Sequence, residues 1–394
     1  MPDPATEVVA LLSDLVGIDS VNPALVPGAA GEGRIVEHLR ERLERSGFAT
    51  TVVGRPDRPS LVAVPPGEAD LPTVVLNGHL DTVGVAGMPE PFTPRVDGDR
   101  LYARGAADMK GGVAALVVAA EQLVASGAQV RPVLALVADE EDASLGSEAV
   151  IARLPDLGVR PDVCLIAEPT DLALSRSLRG FAVVRVTFAG RAAHSSQAEQ
   201  GVNAVTHLGR LLHAVDERAA AVRAAGGDLM VTVVRGGRSP FVVPDSAECL
   251  VEVRTTPERP GAAALDEVRA LLDPRWQAEP ELIAARNGWR LDAAGPAADL
   301  AARLGEALGT GPTFDAPYWM EAPLWQEVCP TLICGPSGGG LHAADEWVDL
   351  GQVRRFATAL PAVLSTLDAG SRETGVQSAV TELAGRPASR RSRR

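Results

Sequence analysis

Four short apolar runs, each of a length suited to a buried strand, are the clearest pattern along the chain. A helix-length apolar segment at 112–124 separates the first run from the second, and another at 145–154 separates the second from the third. Because apolar strands that alternate with helices are typical of a sheet covered on both faces, this pattern predicts a buried, mainly parallel sheet. The four runs are 73–80, 132–138, 162–167 and 330–334.

The middle of the chain has a different pattern. Strand-like alternation at 181–188 precedes a helical stretch, two further strand-like segments, a second helical stretch and a last strand-like segment. This β-α-β-β-α-β order is typical of a ferredoxin-like α+β domain. We therefore predict an α/β domain formed by residues 1–176 and 290–370, with a smaller domain inserted at 177–289. The later segments of the order are 201–225, 229–235, 247–254, 262–272 and 281–285.

Composition and charge narrow the class of protein. With 51 Asp and Glu against 37 Lys and Arg, the net charge is −14, which argues against a nucleic-acid binder because such proteins need a basic surface. Lys110 is the only lysine. No apolar stretch reaches the roughly 18 residues of a membrane helix, so we predict no membrane partner. The Ser- and Arg-rich tail at 371–394 is predicted to be disordered.

The cysteines and the N-terminal segment favour a cytoplasmic location. No C-x-x-C pair is present, and most of the cysteines lie in apolar runs, where buried free thiols are usual. Residues 1–20 lack the basic flank of a signal peptide. The cysteines are Cys164, Cys249, Cys329 and Cys334.

Polar residues able to bind a metal follow every one of the four apolar runs. In open α/β sheets, ligands bind beyond the carboxyl ends of the strands, so residues that are far apart in sequence would converge there. In chain order these residues are His79, Asp81, Glu140, Glu141, Glu168 and, after a glycine-rich loop, His342.

Each of these residues also has a simpler interpretation when it is taken alone. His79 and Asp81 would share a face of an extended segment, either as a metal ligand oriented by a carboxylate or as an ordinary polar pair. The adjacent side chains of Glu140 and Glu141 point in different directions, which suits one metal ligand and one general base. Taken alone, the pair could also be part of a solvated turn. Asp108, just before an apolar helix, could be a ligand or a helix N-cap.

Two glycine-containing segments are similar to catalytic motifs only in part. Residues 104–112 lack the order of a phosphate-binding loop. Residues 335–339 match G-x-S-x-G and follow a strand, as a nucleophile elbow does. The only histidine downstream is His342, which leaves no room for an intervening triad acid. We favour a glycine-rich active-site loop, with a serine hydrolase built on Ser337 as an alternative.

Six ordered motifs closely resemble those of the dinuclear-zinc aminoacylase and carboxypeptidase family, which includes acetylornithine deacetylase and succinyl-diaminopimelate desuccinylase. The resemblance extends over about residues 5–367. It implies a mainly parallel α/β catalytic domain with an inserted ferredoxin-like dimerisation or lid domain. The motifs are 78–83, 104–112, 139–141, 168–169, 191–196 together with 201–204, and 335–346.

The resemblance also implies a dinuclear centre. One metal would be bound by His79, Asp108 and Glu168. Asp108 would bridge to a second metal, which Glu141 and His342 complete. Two divalent ions repel each other unless an anionic oxygen lies between them, and a carboxylate can share its two oxygens. Nitrogen and oxygen ligands suit zinc, with cobalt or manganese as alternatives.

The same resemblance implies roles for four further residues. Glu140 would act as the general base, and Asp81 would hold His79. His194 would reach the active site of the other subunit of a homodimer and stabilise the oxyanion, the alternative being an ordinary surface histidine. Arg254 would hold a substrate carboxylate, with a structural ion pair as the alternative.

These roles predict a metal-dependent amidohydrolase that removes the acyl group from an N-acyl amino acid or a related small amide. A carboxypeptidase or dipeptidase is the near alternative. A non-hydrolytic binding protein of the same fold is a further alternative, whose sign would be a lost ligand or base, and none is lost here. Where members of the family often have an asparagine, this chain has Phe241. The polar contact of the asparagine is lost, so we expect either altered carboxylate recognition or a more apolar acyl pocket.

Overall fold

The computed structural model describes residues 3–310 and 313–367. The chain divides into two compact units. The first draws on Met1–Leu174, Asp292–Pro312 and Leu324–Arg394, and the second on Ser175–Leu291 and Thr313–Pro323. The tail predicted to be disordered, 371–394, lies outside the described residues.

Helices and strands alternate through much of the chain. The helices are α1 (Pro4–Val16), α2 (Gly33–Arg45), α3 (Gly111–Ser126), α4 (Leu145–Arg153), α5 (Ala204–Ala224), α6 (Ala264–Arg269), α7 (Pro296–Leu308), α8 (Ala322–Gln326) and α9 (Leu350–Leu364). The strands are β1 (Ala49–Arg55), β2 (Arg58–Val64), β3 (Thr73–His79), β4 (Arg95–Asp97), β5 (Arg100–Tyr102), β6 (Arg131–Val137), β7 (Val163–Ile166), β8 (Ser175–Leu178), β9 (Gly180–Ala189), β10 (Asp228–Gly236), β11 (Ser246–Thr255), β12 (Ala278–Arg286), β13 (Trp289–Arg290), β14 (Phe314–Ala316), β15 (Thr331–Ile333), β16 (Gly338–Gly339) and β17 (Trp347–Asp349).

A six-stranded sheet in the order β1-β2-β6-β3-β7-β15 forms the centre of the first unit. Strand β3 pairs in parallel with β6 and β7, and β7 pairs in parallel with β15, whereas β1 and β2 are antiparallel additions at one edge. Every residue of β3 and β6 is buried, and so is every residue of β7 and β15. The four apolar runs therefore form the parallel part of the sheet, and the predicted fold class is confirmed.

The second unit contains an antiparallel sheet in the order β10-β11-β9-β12. Buried and partly exposed positions alternate along β9 and β11, so that one face of the sheet is apolar. Residues of α5 and α6 pack in the same core as this face. The arrangement is the ferredoxin-like α+β fold that the sequence predicts.

Several short strands are not evident in the sequence pattern. Strands β16, β17, β5 and β4 form a small sheet in that order, and β13, β8 and β14 form another. Strand β4 is fully exposed, so it lacks the apolar alternation by which strands are recognised. The first of these sheets pairs β17 with β5 and β16, so it supports the ends of the loop that carries His342.

Contrary to the sequence expectation, one stretch of the described residues, Ala106–Ser126, is long and apolar enough to cross a membrane. Of the most apolar 18 residues in this stretch, 72% is buried inside the protein, as is usual for a core helix. The segment includes α3, which contacts α1 and α9 as well as β3 and β6. Its apolar character is therefore explained by packing in the first unit.

Candidate metal centre

The ends of three adjacent parallel strands carry the predicted metal site. His79 is the last residue of β3, the loop with Glu140 and Glu141 follows β6, and Glu168 follows β7. Since β3 lies between β6 and β7, these ends meet at one edge of the sheet. The convergence that the sequence predicts is present.

Four of the five predicted ligands, together with Glu140, lie in two clusters that share His79, and the fifth ligand, His342, lies beside the first cluster. Candidate ligand atoms of His79, Asp108 and Glu141 lie within 4.8 Å of one another, and those of His79, Glu140 and Glu168 form a second group on the same criterion. The Nε2 atom of His342 lies 3.2 Å from a carboxylate oxygen of Glu141. Glu140, the predicted base, is therefore close to the metal donors.

The two oxygens of the Asp108 carboxylate face different histidines. Oδ1 lies 3.0 Å from Nε2 of His79, and Oδ2 lies 3.3 Å from Nε2 of His342. A carboxylate that directs one oxygen to each of two ligand groups has the geometry of a bridging ligand. The alternative in which Asp108 caps the following helix is not observed, because α3 begins at Gly111 and Lys110 occupies its N-cap position.

The electrostatics of the cluster favour positive charge between the carboxylates. Burial alone would lower the pKa of His79, but its hydrogen bond with Asp108 and the charge of Glu168 raise it well above the usual value. Hydrogen bonds with Asp108 and Glu141 raise the pKa of His342 to about 10. Both imidazoles gain affinity for a proton because carboxylates face them, and divalent cations would offset the same negative charge. The donor set therefore fits metal ions.

The surroundings shift the pKa values of Glu141 and Asp108 in opposite directions. Burial raises the pKa of Glu141, and the hydrogen bond with His342 offsets this only in part. Burial also opposes ionisation of Asp108, yet hydrogen bonds from His342 and His79 hold the pKa of this residue below its usual value. Asp108 is thus held in its anionic form more strongly than Glu141, as suits a residue that would lie between two cations.

Asp81 supports the site in a different way from the one expected. The Nδ1 atom of His79 lies 3.0 Å from the backbone carbonyl oxygen of Asp81 but 3.7 Å from its carboxylate. Strand β3 ends at His79, so the alternation of side chains does not extend to Asp81. The carboxylate instead accepts hydrogen bonds from the backbone amides of Glu140 and Glu141, at 3.1 and 3.2 Å. It therefore holds the loop that carries the predicted base, Glu140, and a predicted ligand, Glu141.

Glycine permits close packing around the Asp108 segment. A Cβ atom at Gly112 would lie 2.2 Å from the carbonyl oxygen of Ala167, the residue before Glu168.

Lys110 is completely buried and donates from Nζ to the carbonyl oxygen of Ile18 at 2.8 Å. Burial lowers the pKa of Lys110 to about 7.

The loop that resembles a nucleophile elbow is arranged otherwise. The backbone amide of Ser337 donates to Gln352 Oε1 at 2.9 Å. The imidazole Nε2 of His342 faces Asp108 and Glu141, so the only downstream histidine is engaged with the metal cluster. This arrangement favours the glycine-rich loop over the serine hydrolase.

The other three functional candidates lie in the second unit. His194 is exposed and accepts a hydrogen bond at Nδ1 from the backbone amide of Ser196, at 3.2 Å. Phe241, whose residue is 68% exposed, lies next to Val242, which forms an isolated bridge with His194. Arg254 pairs with Glu252 and lies over the ring of Phe181.

Some residues around the site carry no signal in the sequence. Arg58 and Asn22 are buried and contact Asp139, which lies in the same loop as Glu140 and Glu141. Neither residue belongs to a recognisable motif. Arg104 and Glu346 lie inside the two motifs that contain Asp108 and His342, so a role near the site could have been suspected for them. Their pairing is visible only in the fold.

The chain is similar along most of its length to proteins described as a desuccinylase and a deacetylase. A protein of Gluconobacter oxydans described as succinyl-diaminopimelate desuccinylase is 30% identical over 370 residues, covering 88% of this chain and 93% of the relative. A Vibrio atlanticus protein described as acetylornithine deacetylase is 28% identical over 362 residues, covering 85% and 91%.

A solved structure shares the fold. A Bacillus subtilis protein described as a dinuclear metal binding peptidase from the M20 family superposes with a TM-score of 0.69 at 17% sequence identity, covering 92% of this chain and 99% of the other. The sequence model of peptidase family M20/M25/M40 matches residues 75–366. The predicted resemblance is thereby confirmed, and the chain belongs to peptidase family M20/M25/M40.

Proposed function

We propose that the protein is a metal-dependent amidohydrolase that cleaves the linear amide bond of an N-acyl amino acid or a related small amide. The observation that carries this proposal is the Asp108 carboxylate, which directs one oxygen to His79 and the other to His342 within a cluster of acidic donors. The desuccinylase and deacetylase relatives support the same class of reaction.

The residues present would hold two divalent ions. His79, Asp108 and Glu168 would bind one ion, and Asp108 with Glu141 and His342 would bind the other. Zinc suits this nitrogen and oxygen donor set, with cobalt or manganese as alternatives. When bound, the metals would polarise the amide carbonyl and make a water molecule more acidic.

Glu140 is the residue we assign to proton transfer. Its carboxylate would accept a proton from the attacking water and deliver that proton to the nitrogen of the leaving amine. Asp81 would keep Glu140 in place through the hydrogen bond to its backbone amide. His79 is oriented by the carbonyl of Asp81, which fixes the nitrogen that faces Asp108.

The hydrogen-bond partner of His194 supports a role as an oxyanion donor. A backbone amide can only donate, so the bond from Ser196 makes Nδ1 of His194 an acceptor. In the neutral imidazole the proton is then on Nε2, which is available to donate to a developing oxyanion. We propose that His194 acts in the active site of a second subunit, in a homodimer formed through the second unit.

Substrate selection would involve Arg254 and Phe241. Arg254 carries a partly exposed guanidinium that could bind a substrate carboxylate, with Glu252 keeping it oriented. The exposed ring of Phe241, beside the His194 segment, would favour an apolar acyl group.

The four buried cysteine thiols support a reducing, cytoplasmic compartment.

The test is metal removal followed by a substrate screen. Protein dialysed against EDTA is assayed with N-acetyl, N-succinyl, N-formyl and N-carbamoyl amino acids and with dipeptides, before and after zinc is restored. We expect hydrolysis of an N-acyl amino acid that depends on zinc and that Ser337→Ala preserves. Activity that survives EDTA but is lost in Ser337→Ala would establish the serine hydrolase instead.

Two other outcomes would identify the remaining alternatives. Zinc-dependent cleavage of dipeptides, with N-acyl amino acids left intact, would indicate a dipeptidase or carboxypeptidase. Stoichiometric zinc binding without hydrolysis of any member of the panel would indicate a non-hydrolytic binding protein.

A further inference from the structure

A buried arginine outside the metal cluster is connected to it through hydrogen bonds. Arg58, at the start of β2, is 6% exposed. Its Nε and Nη2 atoms donate to both carboxylate oxygens of Glu32, at distances between 2.6 and 3.1 Å. Its Nη1 atom lies 2.6 Å from Oδ1 of Asp139. All three nitrogens of the guanidinium are therefore used.

Asn22 connects Asp139 with Asp81. The side-chain nitrogen of Asn22 donates to Oδ1 of Asp139 at 3.1 Å and to Oδ2 of Asp81 at 2.8 Å. Its side-chain oxygen accepts from the backbone amide of Ala24, which fixes the orientation of the amide group. Asp81 then holds the backbone amide of Glu140. A continuous path of contacts thus runs from Arg58 to the general base.

The loop at the end of this path depends on these contacts. Asp139 has a φ of +68°, a left-handed conformation that a residue other than glycine adopts only when its surroundings impose it. Its carboxylate and that of Asp81 are both buried and are joined by a single amide group. Arg58 offsets part of this charge through its contact with the Asp139 carboxylate.

We propose that Arg58, acting through Asp139 and Asn22, is a positioning residue for the loop 139–141, and that it sets the affinity of the metal site completed by Glu141. The inference rests on the proposed dinuclear function. His79 is bonded to the backbone carbonyl oxygen of Asp81, whereas the path uses the Asp81 carboxylate, and Glu168 follows a different strand, β7. The effect should therefore fall on one of the two metals.

The experiment compares two arginine variants of the full-length protein. Arg58→Lys keeps the charge, but a compact ammonium cannot reproduce the planar guanidinium that contacts Glu32 and Asp139 at once. Arg42→Lys is the matched control, because Arg42 in α2 also bridges two carboxylates, those of Glu7 and Glu121, each at 2.6 Å, within the same unit. Zinc binding to the metal-free proteins is measured by calorimetry, together with kcat and KM.

We expect one zinc to bind Arg58→Lys as it binds the wild type, and the other to bind about tenfold more weakly. We also expect kcat to fall while KM is unchanged, and Arg42→Lys to match the wild type in both measurements. Equal zinc affinities in Arg58→Lys and wild type, or equal losses in the two variants, would overturn the inference. Wild-type protein that binds no zinc would instead overturn the proposed function and the inference with it.

A double variant separates positioning from stability. Arg58→Met with Glu32→Leu replaces the buried ion pair by apolar groups, a change that often restores stability, but leaves Asp139 without its guanidinium. We expect a melting temperature above that of Arg58→Met alone and a second zinc site that remains weakened. Recovery of that site together with the melting temperature would show that Arg58 is only structural.

Discussion

Arg104 and Glu346, 242 positions apart in the chain, form a buried ion pair with 2.6 Å between Nη1 and Oε2. The same carboxylate accepts hydrogen bonds from three backbone amides in the segment 105–108, and Arg104 also donates to the carbonyl oxygen of Ala343. The pair thus fastens the segment that carries Asp108 to the loop that carries His342.

Glu346→Gln should therefore cost stability. The variant leaves the Arg104 guanidinium buried without a counter-charge, and breaking such a pair typically lowers the free energy of unfolding by about 3–5 kcal/mol. Urea denaturation measures the change. Asp57→Asn is the control, because its partner Arg55 and Asp57 itself are mostly exposed, and we expect a much smaller loss of stability there. Equal losses in the two variants would contradict the structural role of Glu346.

Glu140→Gln should remove turnover and keep the metals. The amide is nearly the size of the carboxylate but cannot accept the proton, so we expect kcat to fall by about 100-fold or more. Metal analysis should give the wild-type content. Glu141→Gln, by comparison, should lose zinc as well as activity. Turnover close to that of wild type in Glu140→Gln would refute the assignment of the base.

His194→Ala should lower kcat strongly while its zinc content stays at the wild-type value. If the histidine acts in the partner's site, mixing this variant with Glu140→Gln should restore activity that neither variant has alone, because a mixed dimer contains one complete active site. Subunits are exchanged by co-expression, and activity is measured on the purified mixed dimer. Absence of complementation would show that His194 acts within its own subunit or outside catalysis.

Gly112→Ala should disturb the site through packing alone. The added methyl group would lie 2.2 Å from the carbonyl oxygen of Ala167, so α3 or the segment before Glu168 has to shift, at a cost of about 1–3 kcal/mol. We expect weaker zinc binding and a lower melting temperature. Gly33→Ala in α2 is the control, since no atom lies within 4 Å of a Cβ atom there, and it should leave both properties unchanged.

The cysteines should be unreactive in the folded protein. Burial raises the pKa of Cys249 to about 11 and of Cys329 and Cys334 to about 12, and Cys164 is buried too. At pH 8 the thiolate that reacts with Ellman's reagent is therefore scarce as well as inaccessible. We expect no rapid reaction in buffer and four thiols per chain in denaturant. Fewer than four would indicate a disulfide.

The sequence predicts those parts of the site that follow from local pattern. His79 lies at the end of the first buried apolar run, Glu140 and Glu168 come shortly after the next two, and the rule for parallel sheets is sufficient to bring them together. The role of Asp81 is predicted less well. Spacing of two residues places side chains on one face only while the strand continues, and β3 ends at His79, so the carboxylate turns to the next loop instead.

Contacts between distant segments cannot be predicted in this way. Arg58 lies in a strand of a hairpin, and Glu32 lies just before a helix. Charged residues at such positions are ordinarily exposed. Their burial results from how α2 and β2 pack in the first unit. A single sequence contains no periodicity that reports such a pairing, and only the folded chain reveals which charges have lost contact with water.

The burial of Lys110 affects how this protein can be handled. Since it is the only lysine and is fully buried, the folded surface presents no lysine ε-amine to an acylating reagent. Amine-directed cross-linkers and dyes would find the α-amino group and little else. A dimer would consequently escape glutaraldehyde or succinimidyl-ester cross-linking even if it were stable, whereas light scattering would detect it. The same property allows a label to be placed at one chosen site by introducing a single surface lysine.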